Sequence, residues 1–160
     1  MAVLLPDTVD EAVEHLAATP SSTVLAGGTD LMVEVNDGHR RPSGAVVVNR
    51  IPELRSWRHD PRAATVTIGA AVTYSEMLVG PLAEMVPALA QAARTVGSPQ
   101  IRNAGTLGGN LGTCSPAGDG LPMPPDHAVL EAMRVAMWPW FNTMEVRRAC
   151  LPSANGHATA

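Results

Sequence analysis

The chain has 160 residues, enough for one domain of ordinary size or two small ones sharing a core. Only 16% of residues are charged and 46% are hydrophobic, which excludes a disordered charged tail and implies an apolar interior. All eleven basic residues are Arg, and the net charge of −4 argues against a nucleic-acid surface. Cys114 and Cys150 are too few for the four thiolates an iron–sulfur cluster usually takes, and they lack zinc-ligand spacing. The segment from Met1 to Asp7 has neither the basic flank nor the apolar length of a secretion signal. With no apolar run of roughly 18 residues, the sequence predicts a reduced, cytoplasmic protein without a membrane span.

Thr8-Val-Asp-Glu11 has capping-box spacing, and Val9, Ala12, Val13, Leu16 and Ala17 follow at helical intervals. A first helix to about Ala18 is expected, ended by Thr19-Pro20. Thr23–Ala26 reads as a short buried strand running into Gly27-Gly28. Ala45–Val48 and the alternating run Ala64–Ala71 are further strands, with a hairpin-like excursion from Arg50 to Arg62 between them. Thr73-Tyr-Ser-Glu76 repeats the capping box and starts a short helix ending near Gly80. Pro81 and Pro87 suit first-turn positions, where a missing amide costs nothing. Leu89, Ala92, Ala93 and Val96 line one face of the next helix, with Gly97 as its C-cap. Residues 97–122 are expected to be loop-rich, because seven glycines punctuate them.

Two glycine-bearing stretches suggest chemistry: Ala26-Gly27-Gly28-Thr29-Asp30 and Thr106-Leu107-Gly108-Gly109-Asn110. Convergent backbone amides bind phosphate, and glycine permits both positive φ and close approach. Neither stretch carries the Gly-Lys-Ser/Thr of a P-loop or the G-x-G-x-x-G of a dinucleotide fold. Each pair taken alone reads as a tight turn; together, with Thr and Asn side chains beside them, they favour a nucleotide ligand modestly. Arg102, near the second stretch, has two readings: a phosphate partner, or an exposed cation capping loop carbonyls, the better supported of the two. His15, His39, His59, His127 and His157 are scattered and receive no role. Cys114 reads as a small loop residue.

The wider context is more specific. Leu25-Ala-Gly-Gly-Thr-Asp-Leu31, then Gly97-Ser-Pro-Gln-Ile-Arg-Asn-Ala-Gly-Thr-Leu-Gly-Gly-Asn110 and Ser115-Pro-Ala-Gly-Asp119, resemble the FAD-binding subunit of the molybdenum hydroxylases. That family includes xanthine and carbon monoxide dehydrogenases, and the resemblance covers roughly Leu4 to Pro122. It implies an α+β (mixed α/β) fold of the FAD-binding PCMH type with two subdomains, incomplete at the C-terminus. It also implies a first flavin loop, Ala26, Gly27, Gly28, Thr29, Asp30 and Leu31, whose amides hold the FAD diphosphate. A second loop, Thr106, Leu107, Gly108, Gly109 and Asn110, would close on the same diphosphate, and Asp119 would bond the adenosine part. Val96 stands where some relatives place an aromatic residue against the flavin. The implied partners are a molybdopterin-binding large subunit and a [2Fe–2S] small subunit. Electrons would pass from the molybdenum centre through the clusters to FAD, then to NAD or another acceptor. The flavin carries the chemistry, so no acid–base residue is demanded of this chain.

The domain division expected is 1–122 for the FAD-binding part, split near residue 55, and 123–160 for an unmatched tail. Four of the eight methionines and two of the three tryptophans fall in that tail. Asp126 is a candidate cap for a helix over 126–138 carrying Leu130, Met133 and Met137 on one face. The composition shift suggests a frameshifted or fused end, so the alternative reading is a truncated, non-enzymatic remnant with weak or no FAD binding.

Overall fold

A computed structural model of the chain describes residues 2–113, 133–135 and 143–147. The N-terminal part is a β-α-β-α-β unit: β1 (Ala2–Leu4), α1 (Val9–Ala18), β2 (Ser22–Leu25), α2 (Leu31–Asn36) and β3 (Gly44–Val47). The three strands form a parallel sheet in the order β1-β3-β2, with Leu4, Val46 and Val24 in one row. Thr8 caps α1 by accepting the Glu11 amide at 3.2 Å. The Glu11 carboxylate returns a bond to the Asp7 amide at 2.8 Å, one residue earlier than a strict capping box. Helix α1 buries Ala12 against Val46, Ile51, Leu54 and Ala71, with Leu4, Val9 and Leu16 at the margin.

After β3 the chain makes the excursion that its Pro and charged residues imply. A 3-10 turn over Pro52–Arg55 leads into β4 (Trp57–Asp60), which pairs antiparallel with β5 (Thr65–Gly69). Val66 and Ile68 of β5 face a second core with Val72, Tyr74, Met77, Leu82, Val86, Leu89, Ala93, Val96 and Leu107. Four helices supply most of that core: α3 (Tyr74–Met77), α4 (Gly80–Met85), α5 (Pro87–Thr95) and α7 (Leu107–Thr113). Thr73 and Glu76 form a full reciprocal capping box on α3. Pro81 and Pro87 sit in the first turns of α4 and α5. Gly97 follows α5 at φ +33°, the left-handed geometry a helix stop favours.

Three expectations are corrected. Residues 97–113 are mostly helical, not loop: α6 (Pro99–Ala104) begins at Ser98, whose hydroxyl accepts the Ile101 amide at 3.3 Å, and α7 follows. Ser before Pro is a cap signal that outweighs the glycine density. Helix α2 has no counterpart in the sequence reading. Its apolar residues, Leu31, Met32, Val33 and Val35, follow one another within six residues rather than at helical spacing, and none is buried, so no stripe announces it. The third correction concerns the helix expected over 126–138. Met133–Val135 is a strand, β6, and Thr143–Arg147 is a strand, β7, which pairs β5 and gives the order β4-β5-β7-β6. Thr-Met-Glu-Val-Arg alternates with period two, and the register sets Met133 opposite Val146 and Arg134 opposite Glu145. The rest of 126–138 lies outside the described residues.

Candidate cofactor-binding site

The first glycine loop leaves β2 at the carboxyl end of the parallel sheet, where α/β sheets commonly bind ligands. Gly28 has φ +72°, and a Cβ there would meet the Met32 Cγ at 3.2 Å. Among the described residues, no acceptor takes the amides of Gly27, Gly28, Thr29, Asp30 or Leu31. The loop carbonyls are used: Gly28 accepts from Met32 at 3.0 Å, and Asp30 from Val33 and Glu34. Asp30 precedes α2 without a side-chain cap bond. Amides that no described residue accepts, placed around one left-handed glycine, are the kind of backbone arrangement that can form an anion-binding concavity.

The second loop is built differently. Thr106 is buried and forms an isolated antiparallel bridge with Thr73. The Leu107 amide donates to Val72 O at 3.0 Å and the Gly108 amide to Ala70 O at 2.8 Å. The Gly109 amide donates to Thr106 Oγ1 at 3.1 Å, and the Asn110 amide to Thr106 O at 3.1 Å. All four amides are therefore engaged within the protein. Gly108 is glycine because a Cβ would stand 2.9 Å from the Ala70 carbonyl oxygen. The Asn110 Oδ1 is buried with no hydrogen-bond partner among the described residues.

The two loops meet. A Cβ on Gly109 would lie 3.8 Å from the Ala26 Cβ. Gly27 abuts the backbone of Ala104 and Gly105 so closely that no side chain fits between them. The structure thus sets Ala26 against Gly109, and Gly27 against Ala104 and Gly105 just before the second loop. Asp119 and Cys114 lie outside the described residues. Arg102 points elsewhere: its guanidinium donates to Val96 O at 2.8 Å and Gly97 O at 2.9 Å, closing the end of α5. Val96 is buried in the second core. No group of His, Cys, Asp and Glu among the described residues is arranged to hold a metal, and no described helix is long and apolar enough to cross a membrane.

A cleft of about 130 Å³ opens where the loops meet, lined by Gly27, Thr106, Ala104, Ala71 and four polar residues from outside both loops. These are Asn49, Arg55, Thr73 and Asn103. Thr73 is legible in the sequence only as a helix cap, and for the others the one available signal is the position of Asn49 just beyond the end of a strand. Arg55 pairs with Glu76 at 3.0 Å, both side chains about half exposed. Partial burial opposes the Glu76 charge. Bonds from the Thr73 amide and hydroxyl, and from Arg55, prevail and hold its carboxyl below the usual value.

A β-α-β-α-β unit, an antiparallel sheet beside it, and two apposed glycine loops define a nucleotide-binding domain. The chain belongs to the family described as the FAD binding domain in molybdopterin dehydrogenase, which it matches over residues 1–133, past Pro122. It is 41% identical over 119 residues to a nicotinate dehydrogenase FAD-subunit of Eubacterium barkeri, covering 72% of this chain and 40% of that one. It is 36% identical over 116 residues to the carbon monoxide dehydrogenase medium chain of Hydrogenophaga pseudoflava, covering 71% and 40%. A solved carbon monoxide dehydrogenase from Hydrogenophaga pseudoflava, lacking the Mo-pyranopterin moiety of its cofactor, matches the fold with TM-score 0.78. That match, at 24% identity, covers 96% of this chain and 60% of the other. The chain spans about two-fifths of the length of the curated relatives it matches.

Proposed function

We propose that this chain is the FAD-carrying part of a molybdenum hydroxylase, with molybdopterin and [2Fe–2S] clusters on partner chains. The observation that carries this reading is the set of Gly27–Leu31 amides that no described residue accepts, apposed to a second loop whose Leu107–Asn110 amides are engaged. In this arrangement the first loop supplies the diphosphate donors, and Gly28 sets their convergence. The second loop braces the first: Gly108 and Gly109 let it lie against Ala70 and Ala26. The Asn110 Oδ1, without a partner among the described residues, is an acceptor for a ligand hydroxyl or N–H, and Asp119 supplies the adenosine contact expected from the resemblance. FAD held here would supply electron transfer between the iron–sulfur centres of partner chains and NAD or another acceptor. The chain's own residues bind and orient it. Residues 1–55 and 56–122 act as the two subdomains of this unit, with 123–160 following. The partners are a molybdopterin-binding large subunit and a [2Fe–2S] small subunit, and the setting is the cytoplasm.

Titration of the purified chain with FAD, followed by flavin fluorescence, tests the reading. Saturable one-to-one quenching, weakened about tenfold or more in a Gly28→Ala variant, is the expected result. No saturable binding, alone or with the partner chains present, overturns it.

A further inference from the structure

Helix α2 carries a side chain whose chemistry the FAD reading leaves unused. Met32 stands in its first turn, where a side chain leans back toward the helix N-terminus and over the loop before it. The Met32 amide donates to Gly28 O at 3.0 Å. A Cβ on Gly28 would meet Met32 Cγ at 3.2 Å and Leu25 Cδ1 at 3.3 Å. The left-handed Gly28 therefore rests between these two apolar side chains. Met32 also faces solvent: it is 37% exposed, whereas Met77 is 1% exposed and Met85 packs against the second core. A thioether is the one aliphatic side chain that mild oxidants convert into a polar group, and access decides which methionine reacts first.

We propose that Met32 is an oxidation site acting on the first glycine loop: hydrogen peroxide converts it to the sulfoxide, and the sulfoxide weakens FAD binding. The proposal rests on the FAD reading above. A sulfur lone pair takes one peroxide oxygen, the O–O bond breaks, and the other oxygen leaves as water. The thioether is oxidised by two electrons and the peroxide is reduced by two. The new oxygen sits on Sδ, one bond beyond the Cγ that lies against Gly28. It is a strong hydrogen-bond acceptor, and the Gly27–Leu31 amides beside it are accepted by no described residue. Where it takes one of those amides, that donor is lost to the diphosphate. Where it turns to water instead, Gly28 loses the side chain it rests on. Both routes lower affinity for one ligand while the second core, with Met77, is left intact.

Hydrogen peroxide treatment of the full chain tests the proposal, with peptide mapping by mass spectrometry and FAD titration before and after. The sulfoxide is expected at Met32 before Met77 or Met85. The oxidised chain binds FAD about tenfold more weakly, and methionine sulfoxide reductases for the two epimers restore the affinity. Met32→Leu keeps an apolar side chain against Gly28 and keeps Cys114 and Cys150, so its own affinity is unchanged by the same treatment. Oxidation of Met77 or Met85 ahead of Met32, an oxidised chain that binds as tightly as before, or an equal loss in Met32→Leu overturns the proposal and leaves the FAD reading standing. No saturable FAD binding by the untreated chain overturns both.

Discussion

Gly27 and Ala104 touch backbone to backbone, and a Cβ on Gly27 would fall on the Ala104 carbonyl group. This contact joins the first glycine loop to the end of α6, and so fixes the geometry of both loops. Gly27→Ala forces the backbones apart and is expected to lower stability by about 3 kcal/mol or more. Gly112 is the internal control, because a Cβ there meets nothing within 4 Å. Gly112→Ala, within α7, is expected to be neutral or stabilising by up to about 1 kcal/mol. Urea denaturation of the two variants checks the pair, and equal effects would show that the Gly27 contact is unimportant.

Arg102 separates a structural cation from a ligand-binding one. Its two bonds to Val96 O and Gly97 O satisfy carbonyls at the end of α5. Arg102→Met keeps the aliphatic stem and removes those bonds, so stability is expected to fall by about 1 kcal/mol. FAD affinity, compared well below the unfolding midpoint, stays within about twofold. A loss of affinity without loss of stability would reassign Arg102 to the phosphate.

How far the sequence disclosed this site depends on which physical signal each residue carried. Thr8 and Thr73 announced their helices, because a capping side chain and its partner lie within four residues of each other. The sequence also showed where the glycine pairs lie, but not why each is glycine. Glycine for ligand approach and glycine for chain-to-chain packing look identical in one dimension. Gly27 and Gly108 prove to be packing glycines, touching Ala104 and Ala70, while Gly28 has the positive φ expected of a ligand loop. Asn49, Arg55 and Asn103 were invisible for a related reason. They converge only through the fold, from a strand end, a 3-10 turn and a helix. Strands β6 and β7 were obscured because each is short and takes its pairing from a distant strand, β7 from β5 and β6 from β7.

The Thr73–Glu76 box predicts an acid sensitivity. The Glu76 pKa is held below its ordinary value of 4.5 in the folded chain, so ionised Glu76 stabilises the fold. That contribution is complete above the unfolded value. It is lost as pH falls through 4.5 and on through the lower folded value. Glu76→Gln keeps an acceptor for the Thr73 amide but removes the charge. Its stability between about pH 6 and pH 3 is therefore expected to fall less steeply than that of the parent. Thr73→Ala removes the cap and one of the bonds that favour ionised Glu76, so it costs about 1 kcal/mol near neutral pH and less as Glu76 protonates. Parallel slopes for parent and Glu76→Gln would assign the acid sensitivity to other carboxylates.

The different construction of the two loops yields the sharpest functional test. Gly28 holds φ +72° in a half-buried loop, and an alanine there bears a left-handed strain of about 1–2 kcal/mol. The loop relieves that strain by turning its amides, which are bonded to nothing else in the described structure. FAD affinity is thus expected to drop about tenfold or more, with a stability loss near 1 kcal/mol. Gly108→Ala acts on the opposite quantity. Its Cβ would crowd the Ala70 backbone and break the bond that the Gly108 amide makes there. Stability is expected to fall by more than about 2 kcal/mol, while the folded fraction retains its affinity for FAD. Isothermal titration at low temperature, paired with thermal unfolding, reads both quantities on each variant. A stable Gly108→Ala protein that has lost FAD would show that the second loop binds the cofactor itself rather than bracing the first.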